Sequence, residues 1–256
     1  MFIISVANRK GGTGKTTTCV NLAAEFSARG KKTLLIDLDT QGHSAWGVGF
    51  PHNHKFEHTV HQVFANKNFN FEQCVYETKF ENLYFAPADP GYIPDVEPKH
   101  NVTRLRDAIN VYSQKHPLDV VILDTPPTLD LFLMSALACS NVVIIPFLPH
   151  FLSAVGVRQM IKLFYTTAVK HNNRLKLLGL VPIMINTRLK MHRQVIEELS
   201  KSFGKKRILR AIRTNVKLAE AFNAGMPVRY YAPNSAGAMD YFLLAEDIEF
   251  FLKNKS

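Results

Sequence analysis

The stretch Asn8-Arg9-Lys10-Gly11-Gly12-Thr13-Gly14-Lys15-Thr16-Thr17 constrains this chain more than any other. Before it, Phe2 to Ala7 is a short apolar run with β-branched residues, the pattern of a buried strand. After it, Thr18 to Arg29 sets Val20, Leu22, Ala23, Ala24 and Phe26 at helical spacing, and Gly30 is a natural stop. A glycine-rich loop between strand and helix is a phosphate cradle. Its glycines let backbone N–H groups turn toward phosphate oxygens, and the helix start adds its positive dipole end. Gly11, Gly12, Thr13, Gly14 and Thr17 build the loop. Lys15 would reach the β- and γ-phosphates, and the Thr16 hydroxyl would ligate Mg2+.

The usual pattern G-x-x-x-x-G-K-[ST] fails at one place, because Arg9 stands where the first glycine belongs. A second lysine, Lys10, comes directly before Gly11-Gly12, giving K-G-G-x-G-K-T-T.

Two further apolar strands end in carboxylates. Lys31 to Asp39 delivers Asp37 and Asp39 to the ligand edge of a parallel sheet, and Asp39-Thr40-Gln41-Gly42 then begins a loop. Leu118 to Asp124 is an apolar run closed by Asp124, the Walker B pattern, whose carboxylate holds the Mg2+ shell. Helices are expected at residues 103–114, 128–139, 153–170, 192–203, 217–224 and 236–252. Strands are expected at residues 82–86, 141–146 and 177–186, the last interrupted by Pro182. Strands alternating with helices imply right-handed βαβ units. The expectation is an α/β P-loop fold: a mostly parallel twisted sheet flanked by helices on both faces, in one domain spanning 1–256.

Residues 43 to 100 are the least regular, with a short helix expected at His58 to Phe64 and a proline-rich loop after Ala86. His52, His54, His58 and His61 invite a metal reading. They lack a nearby cysteine and correctly spaced carboxylates, so surface histidines and no metal are expected. Cys19, Cys74 and Cys139 form no C-x-x-C pair and read as buried free thiols of a reducing cytoplasm. No secretory leader pattern is present, and no apolar run approaches the roughly 20 residues that span a bilayer.

The formal net charge is +10, and it is concentrated. Between Arg174 and Lys217 twelve Lys/Arg stand against Glu197 and Glu198 alone, so this segment carries the whole excess. A solvated basic face is the plain alternative, but such concentration favours a polyanion surface.

With these motifs in hand, the chain resembles the ParA/MinD family of deviant Walker A ATPases over nearly its whole length. It is most similar to the short, Soj-like partition ATPases without an added helix-turn-helix. K-G-G-T-G-K-T-T, L-I-D-L-D-T-Q-G, L-D-T-P-P-T-L, Q-V-I-E-E-L, N-V-K-L-A-E-A and G-M-P-V carry the likeness. The resemblance implies ATP and Mg2+ as cofactors. Lys15 and Thr16 take phosphate and metal, Asp39 positions the attacking water, Asp37 lies behind it near the metal shell, and Asp124 is the Walker B acid. Lys10 matches the signature lysine that crosses a nucleotide-sandwich dimer to the partner's phosphates. Asn186, where Asp is common, falls among the nucleotide contacts. Arg188 matches a DNA-contacting arginine, inside the segment already marked by charge, with Lys190, Arg193, Arg213 and Lys217 as further DNA candidates. Thr40 replaces a usual proline, and Thr214 stands where arginine is frequent.

The function so implied is a weak, partner-stimulated ATPase switch. It dimerises with ATP, binds double-stranded DNA without sequence preference, and positions a partition complex with a ParB-like activator in the cytoplasm, on the nucleoid. A chemotaxis array or carboxysome is an alternative cargo. A MinD-like membrane cycle would need a basic amphipathic C-terminal helix. Met239 to Leu252 instead carries Asp240, Glu246, Asp247 and Glu249, with only Lys253 and Lys255 after it, so no stable membrane association is expected. An amide-forming ligase would not need the basic segment. A nitrogenase-reductase-like protein would need cluster cysteines that Cys139 alone does not supply. A tyrosine-kinase reading of Tyr230, Tyr231 and Tyr241 lacks that family's terminal tyrosine cluster.

Overall fold

Buried apolar strands set the architecture. The computed structural model describes residues 1–92 and 102–253. In chain order these are β1 (Phe2–Val6), α1 (Lys15–Ala28), β2 (Thr33–Asp37), α2 (His43–Gly47), α3 (Gln62–Ala65), β3 (Tyr76–Glu77), β4 (Leu83–Ala86), α4 (Arg104–Lys115) and β5 (Val120–Asp124). They continue with α5 (Leu131–Cys139), β6 (Val142–Phe147), α6 (Phe151–Lys170), β7 (Lys176–Pro182), α7 (Lys190–Phe203), α8 (Val216–Asn223), α9 (Val228–Tyr231) and α10 (Ala236–Lys253). Single 3-10 turns lie at Phe71–Cys74 and Lys205–Arg207.

The seven strands form one sheet in the order β3-β4-β2-β5-β1-β6-β7. Every neighbouring pair is parallel except β3 with β4. Both faces are covered, as a parallel sheet requires. Along β1, Ile4 and Val6 join the core with Phe26 of α1 and Leu244 and Ile248 of α10. Ile3 faces the opposite core, with Leu105 and Ile109 of α4 and Ala136 of α5. A third cluster joins Leu133 and Leu137 of α5 to Val157 and Phe164 of α6. Ile4 is fully buried, and its truncation to alanine should cost about 2–5 kcal/mol.

Three short elements lie where no element is expected from the sequence: α2, α9 and β3. Each is five residues or fewer, too short for a hydrophobic period to declare itself. The strand expected through Asn186 stops at Pro182, and beyond it, among the described residues, a single bridge joins Ile185 to Arg213. Helix α1 starts three residues before the expected Thr18, because Lys15, Thr16 and Thr17 already form its first turn. The proline-rich loop expected after Ala86 falls largely on residues 93–101, outside the described residues, as does Lys255.

His52 and His54 are exposed as expected, but one histidine needs correction. His61 is fully buried rather than on the surface. Its ring stacks on Tyr92 and contacts Phe132, and its Nδ1 accepts from the Asp89 N–H at 2.8 Å. With Nδ1 accepting, the proton sits on Nε2, which is buried without a hydrogen-bond partner among the described residues, so aromatic packing on Tyr92 and Phe132 holds the ring in the core. Cys19, Cys74 and Cys139 are free and buried, and burial pushes the Cys74 and Cys139 thiols up to about 12.

Candidate functional site

The site forms where the C-terminal ends of β1, β2 and β5 meet. Val6 pairs with Asp124, and Asp124 pairs with Asp37, so phosphate loop and both carboxylates arrive at one sheet edge. The loop between β1 and α1 is held at its root. Asn8 is buried, its amide donates to the Pro146 carbonyl at 2.7 Å, and its Oδ1 accepts the Lys10 N–H at 3.0 Å. The Thr13 hydroxyl closes the turn on the Lys10 carbonyl at 3.1 Å.

Gly12 and Gly14 have φ of +69° and +67°, the left-handed region that glycine enters without penalty. A Cβ on Gly14 would also sit 2.6 Å from Ile183 Cδ1. Gly14 caps α1, and among the described residues no side chain bonds to the helix start. The first N–H groups of a 14-residue helix are thus left for an anion. Lys15 is buried in the site, whereas Lys10 is exposed.

Asp37 and Asp124 are both fully buried. Asp37 Oδ1 accepts the Asp39 N–H and Oδ2 accepts the Ser44 N–H, each at 3.0 Å. The Ser44 hydroxyl donates to Asp124 Oδ2 at 2.8 Å. Asp124 Oδ1 is buried with no hydrogen-bond partner among the described residues. Burial, then the neighbouring Asp124 charge, pushes the Asp37 carboxyl well above the usual range. Burial raises Asp124 too, while the Thr16 and Ser44 hydroxyls and Lys15 pull it back. Two buried carboxylates, an unpartnered oxygen and the half-buried Thr16 are the donor set a hard divalent cation requires. Asp39 is half-buried at the mouth of the site, and its Oδ1 accepts the Gln41 N–H at 3.1 Å.

Beside Gly14 and Thr17 opens a cavity of about 650 Å³, walled by Ile183, Met184, Ile212 and the segment from Arg213 to Val216. Its size and apolar walls suit a planar base. Asn186, expected among the nucleotide contacts, lines a separate cavity with His192, Arg193 and Ile196. Its Oδ1 accepts the Arg188 N–H at 3.0 Å in a local turn.

The basic segment does not form one free face. Arg213 binds Asp240 through Nε and Nη2, the shortest contact being 2.7 Å, and Lys217 pairs with Glu220 at 2.7 Å. Arg210 pairs with Asp247 at 3.0 Å. All three acids lie outside the segment, so part of its excess is neutralised in space. Arg188, Lys190 and Arg193 are exposed and, among the described residues, make no ion pair. They cluster near the start of α7, at the same sheet edge as the phosphate loop.

The fold and site define a P-loop ATPase of the deviant Walker A kind. Residues 1–177 match the family described as "AAA domain". The chain is 34% identical over 246 residues to the chromosome-partitioning ATPase Soj of Thermus thermophilus, covering 96% of this chain and 94% of Soj. Among solved structures, the cell division ATPase MinD of Pyrococcus furiosus superposes with a TM-score of 0.78 at 26% identity, covering 98% and 99% of the two chains. Cobyrinic acid a,c-diamide synthase of Mycobacterium smegmatis gives 0.81 at 24% identity, covering 100% and 97%, a likeness of fold alone. The chain belongs to the ParA/MinD family of P-loop ATPases.

Two residues of the site escape a motif reading. Asn8 anchors the loop and Ser44 joins the two acids, yet their partners lie 138 and 80 residues away. Only the short spacing from Gly42 to Ser44, a glycine before a helix start, hints at the second.

Proposed function

We propose that this chain is an ATP- and Mg2+-dependent positioning switch of the Soj type, formed by one domain over residues 1–256. Thr16, Asp37 and Asp124 would hold Mg2+, which draws charge off the β- and γ-phosphate oxygens. Lys15 neutralises the phosphates from within the chain, and the free N–H groups at the start of α1 bind them. Asp39, at the mouth, holds and orients the attacking water.

The observation that carries this reading is the division of labour between the two loop lysines. Lys15 is buried in its own site, whereas Lys10 is exposed and, among the described residues, has no side-chain partner. A cation held on a rigid loop but outside its own site is available to a second subunit. Chemistry then depends on dimerisation. Light scattering with an ATP analogue tests this: wild type should shift to a dimer, and Lys10→Ala should bind nucleotide as a monomer. A Lys10→Ala protein that dimerises and hydrolyses normally would overturn it.

Arg188, Lys190 and Arg193 support non-specific binding of duplex DNA, since exposed unpaired cations at the nucleotide edge would be brought together in a dimer. The cargo is a partition complex, with a ParB-like activator, on the nucleoid in the cytoplasm. The acids on α10 support DNA over membrane. Asp240, Asp247 and Glu249 bind Arg213, Arg210 and Arg29, which pins that helix to the body of the protein. No helix among the described residues is long and apolar enough to cross a membrane.

A further inference from the structure

The opposite edge of the sheet carries a second cleft. It opens at the start of β1 and β6, where Asn141 Oδ1 accepts the Ile3 N–H at 2.7 Å. The length of β1, about 16 Å at 3.3 Å per residue, separates it from the phosphate loop. Its volume is about 600 Å³, the size of a small-ligand site. Arg106, Lys170, His171 and Arg174 line it together with Asn110 and Asn173, and no Asp or Glu is among the lining residues described. Among the described residues only Arg106 of these cations has an acidic neighbour, with its Nε 3.4 Å from Asp107 Oδ1.

Cations gather at helix C-termini for a simple reason: they offset unsatisfied carbonyls. Here that need is met otherwise. The Asn172 amide donates to the Leu137 and Ser140 carbonyls at 3.1 and 2.7 Å, closing the end of α5. The last turn of α6 is closed by the His171 N–H on the Thr167 carbonyl at 2.9 Å. Lys170, His171 and Arg174 make no side-chain hydrogen bond or ion pair among the described residues. The Lys170 and Arg174 charges are unopposed among the described residues within a concave, polar space, together with amide donors from Asn110 and Asn173.

We propose that this cleft is a second anion site, which takes a phosphorylated small molecule independently of the nucleotide loop. Arg106 and Arg174 supply paired N–H donors to the phosphate, Lys170 adds point charge, and the His171 ring offers a further hydrogen-bonding nitrogen. The cleft faces away from the nucleotide edge, so dimerisation through that edge would leave it open. Titration calorimetry with inorganic pyrophosphate on the full chain tests this. Lys15→Ala, with its phosphate loop disabled, should still bind, and adding Arg106→Ala/Arg174→Ala or Lys170→Glu to that Lys15→Ala protein should weaken binding roughly tenfold or more, as for loss of charge-assisted contacts. The exposed single change Lys170→Glu gives the same reading without threatening the packing around Arg106. Binding abolished by Lys15→Ala, or undiminished in both cleft variants, would overturn the proposal. So would an equal loss of random-sequence duplex affinity in the cleft variants, because the phosphate recognised would then be that of a nucleic-acid backbone.

Discussion

Asp37 and Asp124 lie side by side as paired positions of β2 and β5, and Ser44 donates to both, its N–H to one carboxylate and its hydroxyl to the other. Burial disfavours their charged forms. Without a cation this pairing destabilises the fold, which is a cost sites commonly accept for function.

Asp124→Asn should therefore raise the melting temperature of the metal-free protein, by about 2–4 °C for each kcal/mol of relieved strain. The same change should abolish Mg2+-dependent hydrolysis. Calorimetry with and without Mg2+ checks both. A metal-free variant less stable than wild type would show that the pair is well compensated.

Ser44→Ala removes one of the few donors these acids have. Leaving a buried acceptor unmet costs about 1–3 kcal/mol. The loss should be larger without Mg–nucleotide than with it, measured by denaturant unfolding in the two states.

Gly14→Ala should cripple the loop twice over. The left-handed φ costs about 1–2 kcal/mol for a residue with a Cβ, and the new methyl would meet Ile183 Cδ1. ATP affinity should fall sharply while the circular dichroism spectrum stays native. Ile183→Ala added to Gly14→Ala should restore only part of the affinity, since it relieves the clash and not the dihedral.

Arginines in the basic segment should separate by their partners. Arg188→Ala and Arg193→Ala should weaken duplex binding without loss of stability, each lowering the salt slope by about 0.9. Arg213→Ala instead leaves the 7%-exposed Asp240 carboxylate without its bidentate partner, so its first effect should be a lower melting temperature. Fluorescence anisotropy across a salt series, with thermal melts, distinguishes the two.

His61 gives a pH dependence with a definite sign. Burial lowers its pKa below the ordinary value near 6.5, so the folded state favours neutral imidazole. Its contribution is full above about pH 6.5, where the unfolded chain is also neutral, and is lost as pH falls toward the folded value. His61→Phe should flatten the fall in stability below about pH 6.5, while costing about 1 kcal/mol at pH 8 for the lost Asp89 bond.

The chain by itself determined the phosphate loop, the strand-terminal acids Asp37, Asp39 and Asp124, and a parallel α/β sheet. Those signals are local: a loop chemistry and apolar runs whose period and length declare their element. Tertiary structure alone decided which charges are free, what joins the acids, and where the histidines lie. Arg213 reads like Arg188 in sequence, but Asp240 comes from a helix 27 residues on and claims it. Ser44 sits in a five-residue helix that no periodicity announces. His61 looks like its polar neighbours until Tyr92 and Phe132 close over its ring. Ion pairing and burial depend on distance in space, and the order of residues fixes that only through the fold.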